Sequence, residues 1–392
     1  MERVSVDERE TIDLLKALIA INSVNPSLMK GGPGEGEIAR RIFAYLQSAG
    51  LDTRLDEIAP GRFNVVGIVR SANPEPGHTL MLNGHTDTVS IGKMDIAPFD
   101  PVERDGKLYG RGSADMKAGV TAMLAAAAAV ARSGIRLKGD VIVAAVADEE
   151  YASIGTEALV RTFTADAAIV TEPTGLDIVV AHKGFAWAKY TVEGRAAHGS
   201  KPEEGVDAIL LMGHVLQEID RYDRETLQQR SHPMLGRPSI HASLIEGGTE
   251  LSTYPDFCEL QVERRTLPGE TREGVIGELN DLWLRSQGKN PLLKGRSEVF
   301  FYRDALEVDR EATIVQTLRT QATQHLGRTP AYSSMSGWMD TGILSGVGIP
   351  SVVFGPGGEG FHSAVEYTYR DQVVQCAQIL GQTIVAFCGE KK

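Results

Sequence analysis

The segment Met81-Leu-Asn-Gly-His-Thr-Asp-Thr88 places two polar side chains directly after a short apolar stretch. Met81 and Leu82 are typical of the end of a buried strand, so His85 and Asp87 are expected where that strand ends. Residues two apart on an extended segment point to the same side. A ring nitrogen of His85 is then free to bind a metal, with Asp87 placed to stabilise the ring from beside it. Taken alone, this pattern also fits a hydrogen-bonded pair at a strand end.

Outward from this segment, apolar strands alternate with helices. Continuous apolar runs cover residues 141–147 and 167–170, and a helix is predicted before each of them. Strands without polar alternation are covered on both faces, as in an α/β/α domain with a mostly parallel sheet. In such sheets, sites form at the carboxyl ends of strands. Acidic and imidazole side chains stand at three such ends: His85, Glu149-Glu150 and Glu172.

The sequence changes character near residue 183, where the strands begin to alternate between polar and apolar residues. From there to residue 304 the predicted order is strand, helix, two strands, helix and strand. This is the order of a ferredoxin-like α+β unit. We therefore predict a discontinuous catalytic domain, made of 1–182 and 305–392, and an inserted second domain, 183–304.

Charge and composition limit the partners and the compartment. The chain has 392 residues, 42% of them hydrophobic, and a net charge of −12, which is typical of a globular protein with an acidic surface. Such a surface argues against a nucleic acid or an anionic membrane as partner, because both need a basic face. The longest apolar run, Val120 to Ala131, is too short to span a bilayer. Three cysteines without a CxxC pair favour a reduced, cytoplasmic compartment.

Five candidate metal ligands stand at strand or loop ends of the first domain: His85, Asp115, Glu150, Glu172 and His362. Carboxylates gathered there would repel one another unless cations shared the site. Two divalent metals about 3.5–4 Å apart, bridged by one carboxylate, would meet that requirement. Imidazole and carboxylate ligands without a thiolate suit zinc, cobalt or manganese.

The chain resembles the dinuclear zinc aminoacylases, a family that includes acetylornithine deacetylase, succinyl-diaminopimelate desuccinylase, aminoacylase and the glutamate carboxypeptidases. The resemblance rests on segments that follow the family's order through nearly the whole chain: Gly84-His-Thr-Asp87, Gly110-Arg-Gly-Ser-Ala-Asp-Met-Lys117, Asp148-Glu-Glu150, Thr171-Glu-Pro173, Ala197-His-Gly199, Arg265-Thr-Leu-Pro-Gly269 and Phe361-His-Ser-Ala-Val-Glu366. It implies that the inserted domain is a lid and dimerisation domain, and we predict a homodimer.

The resemblance also implies two metal positions that share one ligand: His85 and Glu172 for the first, Glu150 and His362 for the second, and Asp115 as the bridge. Zinc is the metal that it implies. Asp87 would orient and polarise His85. Glu149 would be the general base and then the acid, taking a proton from the attacking water and passing it to the leaving amine. The alternative for Glu149 is a solvated charge at a strand end.

Residues of the inserted domain complete the implied site. His198 would reach the neighbouring subunit's site and stabilise the developing oxyanion, unless it is an ordinary loop histidine. Arg265 matches an arginine that binds a substrate carboxylate. The alternatives are a surface salt bridge, or a shift of that role to Arg264. Ser252 stands where relatives often carry an Asn that helps to hold the substrate, which leaves the substrate class open.

We predict a metal-dependent amidohydrolase that removes the acyl group of N-acyl amino acids, as acetylornithine deacetylase does. A dipeptidase or carboxypeptidase with the same metals is the nearest alternative, because the sequence does not show the pocket shape that separates them. A catalytically silent, dimeric binding module is a third. It predicts a missing ligand or base, and all of them are present. The predicted partners are a small N-acyl amino acid or dipeptide and a second copy of the chain.

Overall fold

The computed structural model describes residues 4–71 and 77–390. They divide into two compact units. The first unit includes the chain up to Val180, Val308–Ser333 and the part from Met339 onward, and the second includes Ala181–Glu307 and Ser334–Trp338. The predicted insertion, 183–304, lies in the second unit. Its assignment as a lid and dimerisation domain stays a prediction.

The helices of the described residues alternate with strands along most of the chain. The helices are α1 (Glu8–Ile19), α2 (Gly36–Ser48), α3 (Ala118–Arg132), α4 (Ile154–Val160), α5 (Ala208–Glu225), α6 (Arg272–Lys289), α7 (Thr313–Leu326), α8 (Thr341–Gly346) and α9 (Arg370–Cys388). The strands are β1 (Asp52–Ala59), β2 (Arg62–Val69), β3 (Leu80–His85), β4 (Val102–Arg104), β5 (Lys107–Tyr109), β6 (Val141–Val146), β7 (Ala167–Val170), β8 (Ile178–His182), β9 (Gly184–Glu193), β10 (Ser239–Gly247), β11 (Phe257–Thr266), β12 (Lys294–Arg303), β13 (Leu306–Glu307), β14 (Tyr332–Met335), β15 (Ser351–Val353), β16 (Gly358–Glu359) and β17 (Tyr367–Tyr369).

The first unit is built on one mixed sheet in the order β1-β2-β6-β3-β7-β15-β8, and the last two residues of β8, Ala181 and His182, are counted with the second unit. The four neighbours β6, β3, β7 and β15 run parallel, and the strands outside them are antiparallel. Every residue of β3, β6 and β7 is buried, as the unbroken apolar runs predict. The predicted α/β fold class is confirmed, with the parallel order confined to the centre of the sheet.

The Ala-rich helix α3 lies in the core of this unit. Its small side chains allow close approach, and it packs against α9 and α1. The segment Ser113–Arg132 is long and apolar enough for a membrane span, but 83% of an 18-residue window within it is buried inside the protein. This is the pattern of a core helix, as the sequence predicts for this run.

The second unit has the chain order β9, α5, β10, β11, α6 and β12, and its strands form an antiparallel sheet in the order β10-β11-β9-β12. Ala186, Ala188 and Tyr190 of β9 are buried in one core with Val215 of α5 and Leu282 of α6. Both helices therefore cover the same face of the sheet. The order and the one-sided packing are those of a ferredoxin-like unit.

Candidate metal centre

The carboxyl ends of three neighbouring strands carry most of the acidic and imidazole side chains that the sequence singles out. His85 ends β3 and pairs in parallel register with Val146 of β6. Glu149 and Glu150 follow β6, and Glu172 follows β7, the other parallel neighbour of β3. Because parallel strands end at the same edge of a sheet, these side chains are brought together.

Asp115 and His362 reach this edge from segments that belong to no strand. Asp115 lies in the irregular turn Ser113–Lys117, where its φ of −113° and ψ of 97° are not helical. The peptide bond between Asp115 and Met116 is cis. His362 lies between β16 and β17 with a left-handed φ of 57°, and 54% of its side chain is exposed.

Asp115 lies between the two imidazoles. Its Oδ1 is 3.1 Å from Nε2 of His85, and its Oδ2 is 3.3 Å from Nε2 of His362. Oε1 of Glu172 is 3.6 Å from Nε2 of His85, and Oε2 of Glu150 is 3.2 Å from Nε2 of His362. The potential ligands therefore form two groups that share Asp115. The first is His85, Asp115 and Glu172, the second is Asp115, Glu150 and His362, and within each group the ligand atoms lie within 4.8 Å of one another.

The nitrogen and oxygen atoms of this cluster are suitable ligands for divalent cations. Nδ1 of His85 lies 2.9 Å from the main-chain oxygen of Asp87, and because a carbonyl oxygen only accepts, Nδ1 carries the hydrogen. In the neutral ring, Nε2 then points a lone pair at the oxygens of Asp115 and Glu172. Oε1 of Glu150 is also buried without a hydrogen-bond partner among the described residues. Acceptors that face one another require a proton or a metal cation between them, and this set of nitrogen and oxygen ligands suits a borderline metal such as zinc.

Without a bound cation, the cluster holds protons instead. Burial raises the pKa of Glu149 and Glu172 well above the usual carboxyl range and raises the pKa of Glu150 to about 7. Hydrogen bonds with Asp115 and Glu150 raise the pKa of His362 to about 10. Burial also opposes ionisation of Asp115, but hydrogen bonds with the two imidazoles outweigh it and hold its pKa below the usual range. Metal binding to such a cluster releases protons.

Glu149 lies beside the first group without belonging to it. Its Oε2 is 3.9 Å from Nε2 of His85, and 11% of its side chain is exposed. A carboxyl group with a raised pKa at the edge of such a cluster is suited to accept and release a proton.

Asp87 contacts the ring of His85 through its main chain as well as its side chain, and the sequence does not show which of the two accepts the hydrogen bond. Its main-chain oxygen accepts the hydrogen bond from the ring, while its carboxylate Oδ1 lies 3.5 Å from Nδ1. The carboxylate accepts hydrogen bonds from the backbone N–H groups of Glu149 and Glu150, at 3.2 Å and 3.3 Å. Asp87 therefore links the ring of His85 to the turn that carries the other two residues.

A buried ion pair that the sequence analysis did not assign joins the two non-strand segments. The carboxylate of Glu366 accepts hydrogen bonds from three backbone N–H groups of the Asp115 turn, at 3.0–3.1 Å. It also accepts one from Arg111 at 2.7 Å. Arg111 in turn donates to the main-chain oxygen of Ser363, beside His362. Both members of the pair lie in motifs quoted above, but a motif does not show which residue pairs with which.

The sequence analysis also missed three buried residues that contact Asp87 and Asp148 directly or through one another. Asn25 donates to both carboxylates, and Arg62 donates to Asp148 and to Glu35. No pattern singles them out, since an Asn before a Pro in a loop is ordinary turn chemistry. Asp340 is also buried, and it accepts a hydrogen bond of 2.6 Å from Thr156. Burial raises the pKa of Asp340 to about 6.

Three further predicted site residues belong to the second unit. His198 is exposed, and its Nδ1 lies 2.7 Å from Oγ of Ser200. The turn that follows it is tied to Ser252, because the N–H of Gly199 donates to the Ser252 oxygen at 2.7 Å. Arg265 is half-buried and donates to Glu263 at 2.7 Å. Its neighbour Arg264, the alternative for the same role, is fully buried.

The sequence of the chain matches a known protein family. The family model for Peptidase family M20/M25/M40 matches residues 81–386. This range contains every candidate ligand described above.

The chain is similar along its length to several characterised proteins. It is 28% identical to an N-formyl-4-amino-5-aminomethyl-2-methylpyrimidine deformylase of Bacillus subtilis, over all of this chain and 97% of that protein. It is also 28% identical to an acetylornithine deacetylase of Myxococcus xanthus, over 88% of this chain and 90% of that protein. Among solved structures, a dinuclear metal binding peptidase of the M20 family from Bacillus subtilis superposes with a TM-score of 0.72 at 16% identity, covering 97% of this chain and 98% of that one.

Proposed function

Because the chain belongs to Peptidase family M20/M25/M40 and is therefore a metal-dependent hydrolase of amide bonds, we propose that its substrates are N-acyl amino acids. The predicted family is confirmed. The observation that carries the metal-dependent chemistry is Asp115, whose two oxygens each face a different imidazole within 3.3 Å, and the similarity to an acetylornithine deacetylase supports the substrate class. Glu149 stands beside this pair with a raised pKa.

We assign His85, Asp115 and Glu172 to one zinc ion, and Asp115, Glu150 and His362 to a second. The observation that supports this is that the two groups share a single carboxylate. Divalent ions held there supply Lewis acidity, which lowers the pKa of water and polarises an amide carbonyl.

Glu149 is the proton carrier of the proposed reaction. Its carboxylate takes a proton from the attacking water and delivers it to the leaving amine, a role that typically contributes about 10²–10⁴-fold in rate. The hydrogen bonds from Glu149 and Glu150 N–H groups to Asp87 hold this turn against His85. We expect Arg265 to bind a substrate carboxylate and the Ser252 segment to contact the rest of the substrate.

A substrate panel tests the proposal. Zinc-loaded protein is given N-acetylornithine, other N-acetyl amino acids and dipeptides, and kcat/KM is measured for each. We expect the N-acetyl amino acids to exceed the dipeptides at least tenfold. Faster hydrolysis of dipeptides would favour the peptidase alternative, and binding of zinc with no turnover of any of these substrates would contradict the proposal.

We also propose a homodimer formed through β10. This strand is an edge of the second unit's sheet. It exposes 64% of Leu244 and 57% of Ile245, and α5 exposes 74% of Leu210. An apolar, unpaired edge is a template for pairing with another strand, and here the proposed partner is a second copy of the chain. Leu244→Asp is expected to give a monomer by sedimentation, while a wild-type protein that is already monomeric would contradict the dimer.

A complementation experiment tests whether His198 acts in the partner's site. Subunits carrying His198→Ala are coexpressed with subunits carrying Glu149→Gln, each inactive or nearly so alone. If His198 acts on the neighbouring subunit, the mixed dimer contains one site with both groups intact and recovers part of the activity. If it acts in its own subunit, both sites lack a group and no activity returns.

A second candidate substrate class is an N-formylated arylmethylamine. The relative from Bacillus subtilis is named for an N-formyl derivative of an aminomethylpyrimidine. The observation that favours it is a cluster of rings on the second unit's sheet, on the face that α5 and α6 do not cover. Trp187 and Phe301 stack at 4.9 Å, and Phe185 lies 5.2 Å and 5.7 Å from them. Aromatic rings in such an arrangement offer a surface for a further planar ring.

N-formylbenzylamine and N-acetylornithine, assayed with the wild type and with Trp187→Ala, separate the two classes. A preference for the formylated amine that is lost in Trp187→Ala supports the second class. Equal losses on both substrates indicate that Trp187 only maintains the fold. We further expect the protein to act in the reduced cytoplasm, as its three buried, unpaired cysteines favour.

A further inference from the structure

The side chain of Asn25 lies between two buried carboxylates. Its Nδ2 donates to Oδ2 of Asp87 at 2.7 Å and to Oδ1 of Asp148 at 3.0 Å. All three residues are at most 1% exposed. A side-chain amide nitrogen carries two hydrogens, so one hydrogen is available for each carboxylate.

Each of the bridged carboxylates is tied to the candidate metal centre. Asp87 accepts the N–H groups of Glu149 and Glu150 through its carboxylate and the ring of His85 through its main-chain oxygen. Asp148 begins the same turn with a left-handed φ of 73°. The bridge therefore has His85 on one side and the first residue of the Glu149–Glu150 turn on the other.

Arg62 and Glu35 complete this buried group without replacing the bridge. Arg62 donates twice to Glu35, at 2.6 Å and 2.7 Å, and once to Asp148 at 2.9 Å. The hydrogen bonds of the guanidinium to these carboxylates go to Glu35 and Asp148, and its charge also favours the ionised form of Asp87. Asn25 is the side chain that donates to both the Asp87 and the Asp148 carboxylates, which repel each other in a low-dielectric interior.

We propose that Asn25 is a positioning residue of the metal centre, which holds the His85 ring and the Glu149–Glu150 turn in fixed relation by bridging Asp87 and Asp148. The inference rests on the proposed roles of His85, Glu149 and Glu150. Hydrogen-bonded groups behind metal ligands typically change metal affinity or activity about 10–100-fold when they are lost.

Asn25→Asp is the most direct test, because it keeps the shape of the side chain, removes both donor hydrogens and adds a third carboxyl group. Zinc affinity is measured by competition with a chelating dye, and the thermal midpoint is measured on the metal-free protein. We expect the zinc affinity to fall at least tenfold and kcat to fall with it, while KM stays within about threefold.

Gln378→Glu is the matched control. Gln378 is also a buried amide of the first unit, and it donates to the Val4 oxygen at 2.7 Å and accepts from the N–H of Val6 at 3.0 Å. The same change from amide to acid there is expected to lower the thermal midpoint and leave zinc affinity within twofold of the wild type.

Asn25→Ser keeps one donor, adds no charge and serves if Asn25→Asp does not fold. We expect it to fold and to lose zinc affinity by several-fold. The inference is overturned if the folded Asn25 variants keep wild-type zinc affinity, or lose no more of it than Gln378→Glu does. Zinc affinity is read without a substrate, so an enzyme that cleaves none of the proposed substrates would refute the proposed function and leave this inference standing.

Discussion

The two units bury charged and imidazole side chains in opposite ways. In the first unit, His85 is 1% exposed and has the carboxylates of Asp115, Glu149 and Glu172 within 3.9 Å of its Nε2. Burial opposes its protonation, but those carboxylates outweigh burial and raise its pKa well above the usual value. In the second unit, His182 is also fully buried, and its burial lowers its pKa to about 4.

Buried charge in the second unit is balanced by the protein itself. Arg264 is fully buried and donates to Glu270 at 2.5 Å, and Arg230 pairs with both Glu270 and Glu278. Two guanidinium groups therefore face two carboxylates. The first unit's cluster has an excess of carboxylates over imidazoles. The difference indicates that burial alone does not mark a metal site, whereas buried carboxylates left without enough cations do.

All three tryptophans of the chain, Trp187, Trp283 and Trp338, belong to the second unit. Tryptophan fluorescence therefore reports on that unit, while bound cobalt or zinc reports on the first. Each unit can therefore be followed by a signal of its own.

The largest effect is expected from Glu149→Gln, which keeps the size of the side chain and removes its proton exchange. We expect kcat to fall about 10³-fold, within the range for a lost proton carrier. Bound zinc, measured by elemental analysis, should stay at the wild-type level, because Glu149 lies outside both ligand groups. Retained turnover on every substrate that the wild type cleaves would remove Glu149 from the reaction.

Breaking the balanced cluster of the second unit is expected to cost stability and leave zinc affinity unchanged. Arg264→Met leaves Glu270 facing one guanidinium instead of two. We expect the free energy of unfolding to fall by about 3 kcal/mol, as for a buried ion pair that loses one partner. Urea unfolding followed by tryptophan fluorescence measures it. The double variant with Glu270→Gln should recover part of the loss, and no recovery would show that packing rather than charge is responsible.

Removing metal should act on the first unit. Zinc at a hundredfold excess over its dissociation constant should stabilise that unit by about 2.7 kcal/mol relative to protein treated with a chelator. Hydrogen exchange of β3 and β6 measures the effect locally. Equal protection with and without zinc would mean that the carboxylate cluster does not bind metal when folded.

The smallest expected effect is the pH response of His182, which sharpens the contrast with His85. Its folded pKa of about 4 lies below its ordinary value of 6.5, so the unfolded chain binds more protons between those values. The contribution of the neutral ring to the free energy of unfolding is fully present above pH 6.5 and is lost as the pH falls toward 4. The free energy of unfolding is expected to fall by about 2 kcal/mol between pH 7 and pH 5.

Fluorescence-monitored unfolding at those two pH values measures this loss. His182→Gln should abolish it, whereas His241→Gln, an exposed histidine of β10, should keep it. An unchanged pH response in His182→Gln would assign the loss to other groups.

Much of the fold was open to prediction because it depends on local pattern. Unbroken apolar runs predicted β6 and β7, and their alternation with helices predicted the α/β fold class, both of which are confirmed. The confinement of the parallel order to β6, β3, β7 and β15 was not visible, since periodicity does not show which strand pairs with which. The metal ligands and the roles of His198, Arg265 and Ser252 stay predictions.

The sequence by itself determined which side chains stand at the strand ends, because the period of apolar residues decides where a strand stops and which types follow it. Tertiary structure alone decided that Glu366 holds the Asp115 turn from about 250 positions away, and that Asn25 bridges two carboxylates. These contacts join segments whose local patterns are independent of one another. Their geometry arises only when burial of the whole sheet brings the segments together and leaves each buried charge to find a partner.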